Sequence, residues 1–102
     1  MIIEEKAVFV DVDDTLVRTV GSKVIPLPKV VDKVRLLAAR GYRIFVWSSG
    51  GATYSERVSK DLGIAGIVSG YFCKPAFVID DQPLENWPAT RMIHPLNIDE
   101  ID

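Results

Sequence analysis

Residues 7 to 16 run Ala-Val-Phe-Val-Asp-Val-Asp-Asp-Thr-Leu, an apolar stretch that stops in three carboxylates and a hydroxyl. Clustered anions repel and raise one another's pKa unless a cation or a proton intervenes. Asp11 and Asp13 lie two apart, so an extended chain turns both to one face. A hard divalent cation held by oxygen ligands is the economical partner, and Mg²⁺ fits best. A second apolar run ends at Ser48-Ser49-Gly50, and a third at Asp80-Asp81 with Lys74 shortly before it. Carboxylates, a hydroxyl and a lysine are the parts of phosphoryl transfer, whose catalysis is chiefly positioning and charge stabilisation. Each also has a plainer reading. Asp and Ser favour turns, Asp80-Asp81 precede Pro83, and a lone lysine is usually solvated.

The elements that must position these groups follow from periodicity. Residues 6 to 11 read as a strand buried on both faces, with its carboxylates emerging at the carboxyl end, the edge where open α/β sheets bind ligands. Residues 17 to 25 hold two short β-rich runs around Gly21-Ser22, which predicts a hairpin flap. Pro28 opens a helix to about Arg40, with Val30, Val31, Val34, Leu37 and Ala38 at helical spacing and Gly41 as the stop. Residues 42 to 47 form a second buried strand ending at Ser48. Gly50-Gly51 makes a turn, and Thr53-x-x-Glu56 has capping-box spacing for a helix to about Leu62, with Tyr54, Val58 and Leu62 on its inner face. Residues 64 to 69 predict a short strand, 76 to 79 a clearer one ending at Asp80-Asp81, 91 to 93 a weak one, and 98 to 102 a tail. Strands alternating with helices imply an α/β fold, a Rossmann-like and mostly parallel sheet with flanking helices.

This set resembles the haloacid dehalogenase superfamily of aspartate-nucleophile phosphohydrolases over residues 7 to 81. The resemblance is carried by Asp11-x-Asp13-x-Thr15 after an apolar strand, Phe45-Val46-Trp47-Ser48, Lys74, and Val78-Ile79-Asp80-Asp81. It implies that Asp11 attacks phosphorus and Asp13 serves as general acid and base. Asp80 and Asp81 would complete a Mg²⁺ site with Asp11 and Asp13. Ser48, the main chain near Ser49 and Gly50, and Lys74 would bind the phosphoryl group. Thr15 orders the loop, and Asp14 is a turn anchor or solvated. Two departures stand out. Residues 69 to 75 are too few for a helical crossover between parallel strands, which takes about a dozen residues, and this puts the placement of Lys74 in question. No interval holds a cap domain either.

A capless site is open, because excluding water and gripping a small substrate are harder without a cover. It suits a macromolecular phosphate, or closure by another subunit in a homo-oligomer. Arg18 and Lys23 on the flap and Arg57 on the second helix are available to phosphates but read first as solvated charges. A net charge of −2 leaves nucleic acid open as a substrate without indicating it. The 102 residues, 48% apolar and 25% charged, suit one globular domain over 1–102. One cysteine, Cys73, excludes an internal disulfide and fits a reducing compartment. No membrane-length apolar run or signal-peptide pattern is present, so a cytoplasmic location is expected. Two other readings stay in view: a binding module on the same fold without turnover, and a receiver domain. The second ranks last, because a receiver carries its phospho-accepting Asp after a middle strand and none follows Trp47.

Overall fold

The computed structural model describes residues 5–102. Three parallel strands make the sheet, β1 (Ala7–Asp11), β4 (Arg43–Ser48) and β5 (Val68–Cys73), in the order β1-β4-β5. Between β1 and β4 the chain forms the hairpin β2 (Val17–Val20) and β3 (Lys23–Pro26), then helix α1 (Pro28–Ala39). Helix α2 (Ala52–Asp61) and a 3-10 turn at Ala65–Ile67 lead into β5. This is a small Rossmann-like α/β arrangement, as the alternation of patterns implied.

One face of the sheet carries the core. Val10, Ile44 and Val46 pack with Val30, Val34 and Leu37 of α1 and Val58 of α2, and Val12, Leu16 and Val17 close the top. Pro28 sits at the helix start, where its missing N–H costs nothing. Gly41 ends the helix region at φ 93°, a conformation that only glycine adopts without strain.

Among the described residues the other face has no helix over it. Alternation turns Phe9, Phe45, Trp47 and Phe72 outward, and they meet one another instead, with Phe9 5.0 Å from Phe45 and 4.8 Å from Trp47 between ring centres. Gly70 makes room for this layer, since a Cβ there would lie 3.2 Å from both the Phe45 and Phe72 rings. Parallel sheets are ordinarily covered on both faces.

Five expectations are corrected. Residues 76 to 79 form no strand: the chain after β5 is irregular coil with a bend at Ala76, and Phe77 is 85% and Ile79 98% exposed. The short connection explains this, because Lys74-Pro75 cannot carry the chain back to the far edge of the sheet. The short strand expected at 64 to 69 instead begins at Val68 and runs to Cys73, preceded by the 3-10 turn. Residues 91 to 93 are not a strand, and the expected tail is docked: a 3-10 segment at Pro95–Glu100 packs on α1, Lys33 Nζ donates to the Ile101 carbonyl at 2.6 Å, and Ile98 and Ile101 reach the core. Thr53 is not an N-cap, because the cap is two residues earlier, at Gly51 with φ 104°, and α2 starts at Ala52. Among the described residues no helix is long and apolar enough to cross a membrane.

Leu16 lies immediately after the acidic loop and is fully buried. Truncation to Ala leaves a cavity under that loop and should cost about 2–5 kcal/mol. Urea unfolding of Leu16→Ala checks this, and a loss below about 1 kcal/mol would show a loosely packed site there.

Candidate active site

The ends of β1, β4 and β5 lie at one edge because the three strands are parallel and in close register. Asp11 is paired with Trp47, Trp47 with Phe72, and Ser48 with Cys73. The Lys74 N–H continues the ladder by donating to the Ser48 carbonyl at 3.1 Å. Alternation then places the Phe72 and Lys74 side chains on the face shared with Phe9 and Asp11. The lysine spans the end of β4, and its Nζ reaches Asp11 Oδ1 at 3.1 Å. The position that the short connection put in question is therefore at the rim beside Asp11.

The second oxygen of the same carboxylate is also held. Thr15 Oγ1 donates to Asp11 Oδ2 at 3.1 Å. It can do so because the chain turns back at once after β1. The Val12 carbonyl accepts from the N–H groups of Thr15, Leu16 and Val17, and Asp14 takes a left-handed φ of 59°. Asp tolerates that region better than most residues. Asp14 is thus a turn residue, exposed, with Arg18 Nε 3.7 Å from its carboxylate. The Asp11–Lys74 pair is only part-buried, so it is worth no more than about 1 kcal/mol. Its value lies in fixing the carboxylate's rotation.

Asp13 is exposed at the rim and accepts a 2.6 Å hydrogen bond from the Tyr54 hydroxyl. The Arg57 guanidinium lies over the ring of that tyrosine, 5.3 Å from its centre. The hydrogen bond to Asp13 is the main reason the Tyr54 hydroxyl is raised above its ordinary pKa, followed by burial and the negative charge of Asp13. The phenol stays a donor through neutral pH. Periodicity assigns Tyr54 to packing alone. A tyrosine in the first turn of a helix that starts at the sheet's carboxyl edge was the available signal. Tyr54 also lines, with Val17, Val24 and Arg57, a cleft between the hairpin and α2.

Ser48 is 1% exposed, and its hydroxyl oxygen accepts from the Gly50 N–H at 3.0 Å. The Ser48 carbonyl accepts from Gly51. The Ser48-Ser49-Gly50 turn is therefore built around its own serine, and no hydrogen bond joins that hydroxyl to Asp11, Asp13 or Lys74 among the described residues. Gly50 is required to be small: a Cβ would lie 2.9 Å from the Tyr54 ring and 3.3 Å from Ser48 Oγ.

Asp80 and Asp81 do not join Asp11 and Asp13 in a cluster. They sit in exposed coil, and Asp80 Oδ1 accepts from the Gln82 N–H at 2.8 Å, the turn geometry its residue type favours. Among the described residues no group of three or more His, Cys, Asp or Glu side chains lies close enough to hold a metal ion. Comparison with known protein families, curated proteins and solved structures finds no match for the chain.

The Tyr54–Asp13 bond has a titration signature. A raised tyrosine pKa means that the folded state favours the neutral phenol, so the bond stabilises the protein below about pH 10 and is lost as pH rises through the raised value. Alkaline titration of phenolate absorbance should show one tyrosine moving to lower pH in Asp13→Ala; an unchanged curve would show that the two side chains do not meet in solution.

Proposed function

We propose that this chain is a phosphomonoester hydrolase of the haloacid dehalogenase type, dependent on Mg²⁺, with Asp11 as nucleophile. One observation carries the reading: a lysine and a threonine hydroxyl each lie 3.1 Å from a different oxygen of the Asp11 carboxylate. A side chain so held approaches phosphorus from a fixed direction, which lowers the entropic part of the barrier. The ammonium group is already aimed where phosphoryl charge gathers.

In the first step an Asp11 oxygen bonds to phosphorus, the ester P–O bond breaks, and Asp13 gives its proton to the departing alkoxide. In the second a water attacks the aspartyl-phosphate, Asp13 takes the water's proton, and phosphate leaves with Asp11 restored. Tyr54 is a positioning residue that holds Asp13, and Thr15 does the same for Asp11. The turn at Ser48, Ser49 and Gly50, with Lys74, is the phosphoryl-binding side. Because Asp11 and Asp13 are partly open to solvent and no cap stands over them among the described residues, the reading favours a bulky phosphate ester or closure by another subunit.

Mg²⁺ enters through oxygen donors, which suit a hard cation; bound there it would offset phosphoryl charge. Asp11 and Asp13 are available for it, but Asp80 and Asp81 do not cluster with them in the single chain, a shortfall from the expected ligand set. The same shortfall favours a second reading, a phosphate- or metal-binding module without turnover.

Hydrolysis of p-nitrophenyl phosphate separates the two. With Mg²⁺ the protein should turn over slowly, chelation should abolish activity, and Asp11→Asn should reduce it by at least about 10³-fold. Equal rates for the two proteins would reject Asp11 as nucleophile. Phosphate binding without turnover would select the module.

A further inference from the structure

β1 ends the sheet, and among the described residues no strand pairs with its outer edge. The same chain carries a run with strand composition, Ala76-Phe77-Val78-Ile79-Asp80, lying in exposed coil. Exposed apolar residues and an open strand edge are each sites of intermolecular pairing. We propose that the two belong together across a dimer: residues 76 to 80 of one copy add as a parallel strand to the β1 edge of a second copy, and reciprocally.

The segment cannot reach its own β1 in that orientation. The outer edge of β1 lies three strand spacings, about 14 Å, from β5. A parallel strand must also begin at the opposite end of the sheet, about 13 Å back along a five-residue strand. The direct path is therefore about 19 Å, while the three residue steps from Cys73 to Ala76 span at most about 11 Å. A second copy has no such restriction, because its own β5 lies elsewhere.

The register follows from side-chain alternation. Placing Ala76 to Asp80 beside Ala7 to Asp11 matches five residues to five. Phe77 and Ile79 then fall beside Val8 and Val10, on the helix-covered face, while Val78 and Asp80 fall beside Phe9 and Asp11. The two most exposed large apolar side chains in this stretch, Phe77 at 85% and Ile79 at 98%, are those that pass to the core side. A slip of one residue would reverse both faces. Pro75 sits just before the strand, where a missing N–H is tolerated. An antiparallel strand would bury the same run but leave Asp80 and Asp81 at the wrong end of the sheet. Resting on the phosphatase reading, the parallel exchange supplies what the single chain lacks there: the carboxylates of Asp80 and Asp81 arrive in trans beside Asp11 and Asp13.

The test joins mass with complementation. Sedimentation of the full chain should give twice the monomer mass. Ile79→Lys, at a position fully exposed in the single chain, should give the monomer with unchanged circular dichroism, and Val78→Pro should do the same by removing a strand N–H. A wild-type protein that stays monomeric up to its solubility limit, or a dimer indifferent to both substitutions, overturns the proposal. This arm decides the exchange whether or not the protein hydrolyses esters. For an active wild type, Asp11→Asn and Asp80→Asn/Asp81→Asn should each be inactive and, refolded together, recover about a quarter of wild-type activity. Half of the dimers are then mixed, with one of two equivalent sites intact. Failure of these two variants to complement each other overturns delivery in trans.

Discussion

The parallel pairing of β1 and β5 on either side of β4 is the constraint on which the candidate site depends. Residues 11 and 74 are distant in sequence, and neither has a reason to meet the other until β4 fixes both strand ends at one level. The register Asp11–Trp47–Phe72 then sets the span between a carboxylate and a lysine on the same face. A lysine side chain is long enough to cross one strand end, which is the distance that this order leaves. Had the order placed β5 one strand farther away, the same residues would be solvated and unrelated.

The short return after β1 completes the arrangement from local chemistry. Three N–H groups converge on the Val12 carbonyl, so the backbone reverses within four residues and Thr15 comes back to Asp11. The fully buried Val12 and Leu16 anchor that reversal in the core, while the polar residues between them stay at the rim. Apolar burial and polar exposure thus alternate within a single loop, and the core supplies the rigidity that the exposed carboxylates could not supply for themselves. Tyr54 extends the same logic from the helix side, since its ring is held by Arg57 and Gly50 leaves room for it.

The sheet is unevenly finished. One face is packed by two helices; among the described residues the other is closed only by aromatic rings in contact with one another, and neither outer edge of the sheet, at β1 or at β5, has a partner strand. A three-strand sheet with an uncovered face buries less apolar surface than a doubly covered one, which places more weight on the contacts of α1, α2 and the docked 3-10 segment.

How far the sequence reached can be traced residue by residue. The strand over Ala7–Asp11, the hairpin, α1 from Pro28, and the strand ending at Ser48 follow from local patterns: continuous apolar runs, a Gly-Ser turn, helical spacing and a proline start. The meeting of Asp11 with Thr15 and Lys74 was legible as a set of residue types, but the pairing itself was not. Residues 76 to 79 were the instructive case. Their composition is that of a strand, yet a strand needs a partner edge within reach, and two linking residues do not provide one. The role of Tyr54 was hidden for a related reason, because periodicity assigns a side chain to a face and says nothing of what lies above the helix start. Sequence determined which segments are apolar, where they stop, and which polar groups stand at their ends. Tertiary structure decided which of those ends meet, because strand order, register and connection length act between segments that no local pattern relates.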